Sequence, residues 1–542
     1  MSANSFMEET VTISDGRLKG IHLTEQRAMA WLGIPYAKPP AGQLRWKAPR
    51  EAEPWEGILC VREYKNSSVQ WLEGEAGGSE DCLYLNIWRP EHTEAGRPVL
   101  VYLHGGGNIA GSGQDFQGSR LAVSTDSIVL TINYRLGAMG FFRHPALRTG
   151  DPLDDSGNYG LLDILHALKW VQKNINYFGG NPGNITLAGQ SAGARNALAA
   201  YLSPLSRGLF HKLYLMSGGL TTAAAEQGEA YANDILAALL SDDGTAASAA
   251  EAEEWITQQS AEAIADYLYS RSAGQFAGMI RDTGIRMGAF PHLFEDGTVI
   301  PEGGFDRLNA PEYPVLPFVL GSTASEFTGF ALADSRFSGL VQADGRLSGN
   351  TGLEQLYAAA VHYGNRLYAA FNAEQTADRL TAAIPHIPVF AYRFGWGLQE
   401  GVTGADYRLL LGAPHGADIA FYTGAFEGNY PEGVITGHNE PGRRELSTLM
   451  CSYLRHFLST GNPNTEELPD WPQWTGSTDT AEILVLDANA QKAALHTVTR
   501  LVPEDICSAM EADESLTSEQ RRWITRRLFA GRFFWNAHDG YI

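Results

Sequence analysis

The sequence predicts an α/β fold with parallel strands. Three observations carry that expectation: short apolar runs alternate with helix-patterned stretches, a strand passes through a tight corner into a helix at Ser191, and strand-like runs resume beyond residue 315. In chain order, Cys82 to Trp88, Val99 to Leu103, Ile128 to Asn133, Ile185 to Ala188 and Leu213 to Met216 read as strands. Leu161 to Ile175 and Ala192 to Leu202 read as the helices between the last three of them. From about Thr221 to Ser272 the chain turns to alanine, glutamate and leucine at helical spacing with no obvious strand, as in a helical insertion that caps an active site. Val315 to Gly321 and Val389 to Phe394 then resume the sheet.

Composition narrows the function. A chain of 542 residues with 44% hydrophobic content buries a large core, and no repeat or long linker divides it, so a single domain is expected over residues 1–542. The formal net charge of -22, from 62 acidic and 40 basic residues, repels a phosphate backbone and argues against nucleic acid. The polar, acidic start carries no apolar segment of the secretory kind, and no run approaches the 18 apolar residues of a membrane span. Cys60, Cys82, Cys451 and Cys507 are too few for a disulfide scaffold and lack the CxxC spacing of a zinc site. A reduced, cytoplasmic protein without metal is expected.

The corner Gly189-Gln190-Ser191-Ala192-Gly193 carries the chemistry. A serine hydroxyl attacks well only when a base takes its proton, an acid orients that base and donors await the oxyanion. Gly-x-Ser-x-Gly between strand and helix supplies the nucleophile, because small flanking residues permit the strained turn that lifts Oγ clear of the sheet. In a chain with 59 glycines the bare pattern also arises as a structural turn, so its setting matters. Donors are expected from His104-Gly105-Gly106-Gly107, directly after an apolar run. The alternative, a phosphate cradle, lacks its lysine and its GxGxxG spacing.

With these residues in view the chain resembles the type-B carboxylesterases, the carboxylesterase and cholinesterase family of α/β-hydrolases. The similar stretches include GIPYAKPPAGQLRWKAP (33–49), SEDCLYLNIW (79–88), VYLHGGG (101–107), NYRLGAMGFF (133–142) and the long run 157–193 ending in GQSAG. The resemblance implies an α/β-hydrolase fold: a large, twisted, mostly parallel central sheet flanked by helices, with helical insertions over the active site at about 221–310. It also implies a triad in the order Ser191, Glu326, His415. Glu326 falls where the family has Gly-x-x-x-Asp-Glu-Gly, with Ser325 and Phe327 in place of the flanking Asp and Gly; His415 opens His-Gly-x-Asp. Gly106, Gly107 and the N–H of Ala192 are the implied oxyanion donors. Ser217 matches a supporting serine or a strand-end hydrogen bond, and Arg45 with Glu80 matches a structural ion pair.

Departures bear on substrate. Ser68 stands where disulfide-bearing members have the cysteine that pairs with Cys82's counterpart, and Gln190 replaces the usual glutamate before the nucleophile. Asn108 follows the glycines where an aromatic is common, which makes Asn108 and Gln190 candidates for a more polar pocket. Arg195, four residues after the serine, is either a structural ion pair or a substrate-binding charge. The arginine-rich stretch 517–535, opened by Thr517 and Gln520 as a capping box, either packs on the body or meets a membrane surface. The resulting expectation is a cofactor-free serine carboxylesterase acting on small-molecule esters of neutral or aryl alcohols. An amide or carbamate hydrolase with the same triad and a non-catalytic binding protein are the alternatives.

Overall fold

The computed structural model describes residues 10–531 apart from 93, 281–288, 343, 344 and 385. The chain forms two compact units, one within residues 1–211 and 222–307, the other within 212–221 and 308–542. Among the described residues of the first unit, six strands lie in the order Gly180–Gln190, Arg97–Leu103, Ile128–Ile132, Tyr84–Pro90, Ala28–Pro35 and Ile21–Leu23. The first three run parallel and the others antiparallel. Every residue of Ile128–Ile132 is buried. Covered on both faces, such strands are apolar without alternation, which is why the sequence displays them as plain apolar runs. The helix Ala192–Leu202 has the predicted limits, and all its residues are buried.

Strand ends shift where backbone chemistry dictates. Cys82 lies outside the strand expected from it, because its carbonyl accepts from Tyr84 N–H in a turn and pairing begins only at Tyr84. The strand expected from Val315 starts at Phe318, since Pro317 has no N–H to give a ladder. The stretch after Thr221 does hold a strand, contrary to expectation: Ala223–Ala224 pairs in parallel with Phe294–Glu295. Helices follow at Ala225–Asp242, Ala249–Gln258, Ala261–Ser270 and Ala273–Met279. Ser248, Ser260 and Ser272 begin the last three, each hydroxyl accepting a backbone N–H of the first turn.

In the second unit Lys212–Met216, Phe318–Thr323, Val389–Phe394 and Ile483–Leu486 are parallel neighbours in that order, and His496–Val498 adds an antiparallel edge. The C-terminal segment packs on this unit. Thr517 and Gln520 cap each other's turn as the sequence predicts, and Ile524, Leu528 and Phe529 are fully buried with Phe327, Phe337 and Leu367. Arg521 spends a guanidinium N–H on the carbonyls of Asp513 and Leu516. Residues 532–535 of the stretch lie outside the described residues. No helix of the described chain is long and apolar enough to cross a membrane.

All four cysteines are free thiols. Ser68 Oγ accepts from Leu136 N–H at 3.1 Å, so the residue standing in for the family cysteine ties down a loop instead. Burial pushes the Cys82 thiol up to about 12. The packing of the C-terminal segment gives a test: Leu528→Ala is expected to cost about 2–5 kcal/mol, the range for emptying a buried leucine site. Denaturant unfolding measures it, and a loss below about 0.5 kcal/mol, the level of a surface substitution, would show the contact to be superficial.

Candidate active site

Ser191 sits on a strained corner. Its backbone, at φ 57° and ψ -123°, lies in a region that side chains other than glycine rarely enter, at a cost of about 1–3 kcal/mol. The turn is forced by its neighbours. A Cβ at Gly189 would lie 2.4 Å from the Gly193 carbonyl carbon, and one at Gly193 would lie 2.1 Å from the Leu103 oxygen. Both flanking glycines are therefore steric requirements of the pass between strand and helix.

The glycine loop folds against the same corner. A Cβ on Gly105 would come within 3.0 Å of Ser191 Cβ and 2.6 Å of Gln190 Oε1. Gly106 and Gly107 have φ of 101° and 64°. The Gly106 carbonyl turns away to accept the N–H groups of Ile109 and Ala110, both at 3.0 Å. Among the described residues the N–H groups of Gly106, Gly107 and Ala192 have no hydrogen-bond acceptor. His104 fixes the loop from behind: its Nδ1 bonds the Gly105 carbonyl, its ring stacks on Tyr134 at 4.4 Å, and its carbonyl accepts the Tyr134 hydroxyl at 2.7 Å. Burial lowers the His104 pKa to about 4, so this histidine is a neutral scaffold.

The second unit assembles an acid and a base. Glu326 is fully buried; its Oε1 accepts Ser217 Oγ at 2.5 Å and Thr323 N–H at 2.6 Å, and its Oε2 bonds His415 Nδ1 at 2.5 Å. With Nδ1 engaged by the carboxylate, Nε2 is the ring nitrogen that can take up a proton. Rings of Phe330 and Tyr368 flank His415 at 5.3 and 5.7 Å. Ser217 carries φ 52° and is held through its own N–H on Gly321 and its carbonyl on the Tyr368 hydroxyl. Ser325 and Phe327, the departures beside the acid, both have structural work. Ser325 clips the acid loop to the histidine loop through Ala413, by N–H to carbonyl at 3.0 Å and by Oγ accepting N–H at 3.1 Å. Phe327 joins the C-terminal core against Phe529 at 5.1 Å.

The carboxylesterase family model matches residues 7–384 and 349–500. The chain belongs to the carboxylesterase family. It is 30% identical to the para-nitrobenzyl esterase of Bacillus subtilis (strain 168) over 497 residues, covering 89% of this chain and 95% of that protein. To human carboxylesterase 3 it is 29% identical over 521 residues, covering 88% and 86% of the two chains. Among solved structures, a PNB esterase superposes with a TM-score of 0.70 at 28% identity, over 90% of this chain and 97% of that one. The fold is that of the α/β-hydrolases, and the protein is a carboxylic ester hydrolase.

Three further positions noted in the sequence of this carboxylesterase have defined surroundings. Asn108, expected to line the pocket, is fully buried at φ 61° and exchanges two amide hydrogen bonds with Asn196, at 3.0 and 2.7 Å. Gln190 is buried with its Oε1 against Gly105. Arg195 is 1% exposed and donates from Nη1 to His292 Nε2 at 2.8 Å, while His292 Nδ1 bonds the Phe290 carbonyl. Burial and the Arg195 charge hold His292 well below its ordinary pKa, so it accepts as a neutral ring. The family ion pair is present, Arg45 meeting Glu80 through two bonds of 2.6 Å.

The acid that closes the His-Gly-x-Asp stretch is buried as well. Asp418 is fully buried three residues after His415, with Oδ2 accepting the Tyr392 hydroxyl at 2.6 Å and Oδ1 without a partner among the described residues. Tyr392 pairs with Gly321 across the sheet, and a Cβ there would lie 2.0 Å from the Tyr392 ring, so Gly321 makes the space. Burial raises the Asp418 pKa to about 6 from its ordinary 3.8, with Glu326 adding to the rise. The folded state thus holds this proton more tightly than the unfolded chain. The resulting stability is present in full below pH 3.8 and is lost as pH rises through about 6. Asp418→Asn keeps the shape of the protonated acid and is expected to flatten the fall in melting temperature between pH 4 and 6 relative to wild type. Parallel melting curves for the two proteins would show that Asp418 does not hold this proton.

Proposed function

We propose that the protein hydrolyses carboxylic esters through an acyl-enzyme, with Ser191 as nucleophile, His415 as general base and Glu326 as the acid that orients it. Gly106, Gly107 and Ala192 supply the oxyanion donors, and Ser217 steadies Glu326. The two units then serve as one hydrolase domain, with about 221–310 as its helical insertion. His415 takes the Ser191 proton as Oγ attacks the carbonyl carbon, then returns it to the leaving alcohol. Water repeats the sequence on the acyl-enzyme. The observation that carries this reading is the strained Ser191 backbone, held at the mouth of a buried helix whose first N–H has no acceptor among the described residues. The bonding of His415 Nδ1 to Glu326 supports it further, because it fixes the tautomer that a base needs.

The substrate side favours neutral esters. Gln190 puts no charge beside the nucleophile, and only thirteen residues separate Ser68 from Cys82, leaving a short loop where cholinesterases hold a cationic alcohol group. Four free thiols support a reducing, cytoplasmic location.

Labelling with a fluorophosphonate followed by peptide mass spectrometry tests the nucleophile: Ser191 is the expected adduct, and an intact enzyme left unlabelled would identify a dead scaffold. Ser191→Ala and His415→Ala are each expected to lower kcat by about 10⁴- to 10⁶-fold, and Glu326→Gln by less. Between butyrylcholine and a neutral isostere, kcat/KM is expected to favour the neutral ester at low and high salt alike. A tenfold preference for the cation, about 1.4 kcal/mol, would overturn the reading of Gln190 and the short loop.

A further inference from the structure

Three consecutive glycines, Gly105 to Gly107, have so wide a choice of backbone conformations that they do not by themselves fix where their N–H groups point. What holds them lies at the two ends of the loop. At its start the His104 carbonyl accepts the Tyr134 hydroxyl at 2.7 Å, and the His104 ring stacks on the Tyr134 ring. At its end Asn108 turns left-handed at φ 61°, a conformation that asparagine enters more readily than most side chains. The Asn108 carbonyl accepts the Gly137 N–H at 2.7 Å, which anchors the turn.

Both ends converge on one residue of the helix Ala192–Leu202. Asn108 Nδ2 donates to Asn196 Oδ1 at 3.0 Å, and Asn196 Nδ2 returns a bond to Asn108 Oδ1 at 2.7 Å. Tyr134 is the third partner: burial raises the pKa of its hydroxyl, and a hydrogen bond with the Asn196 side chain opposes the rise. Asn108, Asn196 and Tyr134 are fully buried, so water does not compete for these bonds. Asn196 stands one turn beyond Ala192, and helical side chains lean toward the N-terminus, so its amide reaches back over the turn that Ala192 begins. Two opposed hydrogen bonds between a pair of amides fix distance and direction together, which apolar packing at the same place would not do.

We propose that Asn108 and Asn196 are positioning residues that set the gap between the two halves of the oxyanion site. One half is the glycine loop with Gly106 and Gly107, the other the helix start at Ala192. The proposal rests on the reading of those N–H groups as the donors that serve attack by Ser191. Donors carried on separate elements stabilise a developing charge best when their separation is set before the reaction begins. Neither asparagine touches the ester in this role; each acts through the backbone that carries it. The oxyanion is common to all esters, so loss of the pair weakens turnover of every ester alike, whereas loss of a pocket contact alters the choice among them.

A trifluoromethyl ketone labelled with ¹³C at its carbonyl tests the pair. Ser191 Oγ adds to the carbonyl carbon, the hydroxyl proton passes to His415, and the ketone oxygen becomes the alkoxide that the donors hold. NMR of the labelled carbon against pH gives the acidity of the bound hemiketal hydroxyl, which a merely structural role would not move. Asn196→Leu keeps a similar volume in the helix, and Asn108→Gly keeps the left-handed turn; each removes the pair. In each, the acid dissociation constant of the hemiketal is expected to fall at least about tenfold. Normalised to sites titrated with a fluorophosphonate, kcat/KM is expected to fall by a common factor for acetyl and phenylacetyl esters. The double variant is expected to be no weaker than Asn196→Leu alone, since both residues serve one pair. Either variant, folded and with wild-type hemiketal acidity, would overturn the proposal whatever its melting temperature, so failure of one to fold leaves the other to decide. Losses that multiply in the double variant, or that fall on one ester class, would overturn it too. Wild-type enzyme that forms no hemiketal at Ser191 would instead remove the reading of nucleophile and oxyanion donors, and the positioning role with it.

Discussion

The left-handed backbone at Ser191 is the constraint on which the first unit's architecture depends. A conformation costing about 1–3 kcal/mol persists only where packing leaves no alternative. Here the helix after the serine crosses so close to the strand Arg97–Leu103 that Gly193 Cα lies against the Leu103 and His104 carbonyls. The strand end in turn carries the glycine loop, and His104 and Tyr134 lock that loop by ring stacking and by the bond between hydroxyl and carbonyl. Relaxing Ser191 would therefore require moving the strand, the loop and a wholly buried helix together. Most of the burial energy of those elements opposes it, which is how a modest local strain stays in place.

The second unit solves a different problem, that of burying carboxylates. Glu326 has three donors: a hydroxyl, a backbone N–H and an imidazole, and both oxygens are engaged. Asp418, equally buried, accepts the Tyr392 hydroxyl on Oδ2 while its Oδ1 has no partner among the described residues, and burial raises its pKa to about 6. The two buried acids thus have different hydrogen-bond supplies. A buried charge is tolerable in proportion to the donors that replace water. The loop after Phe318–Thr323 delivers Glu326 back onto Thr323's own N–H, so the strand end itself supplies one of those donors.

What the sequence made legible follows from how local each feature is. The helix Ala192–Leu202 and the strand Val389–Phe394 were readable to the residue, because one has a glycine corner before it and the other is apolar at every position but Arg393. Ala28–Pro35 and Ile483–Leu486 were not read as strands. The first is buried on nearly every residue and interrupted by Gly33, so it shows no alternation, and the second is four residues long. For the site, the Gly-x-Ser-x-Gly corner and the glycine loop brought out Ser191 and the glycines, and the resemblance to the carboxylesterases brought out Glu326 and His415. Thr323, Tyr368, Tyr392 and His292 were invisible, since their partnerships form only once strands pair or distant loops return. Gly321 facing Tyr392 is the clearest instance: a glycine inside an apolar strand marks close approach, but only register says of what.

Charge illustrates why composition misleads about a site. A net charge of -22 describes the surface field, which salt screens over about 8–10 Å. The interior of the first unit follows other rules. His104 and His292 are held neutral there by burial, and Arg195 is sealed against His292. The side-chain amides of Asn108 and Asn196 neutralise each other's hydrogen-bonding needs within one pair, so a polar residue after the glycine loop adds no polarity to an open surface. Polar atoms near the corner are spent on one another, while the three N–H groups of Gly106, Gly107 and Ala192 have no acceptor among the described residues. In the proposed reaction, stabilisation of a developing oxyanion depends on that asymmetry: donors fixed in advance count only if nothing else in the protein has already claimed them.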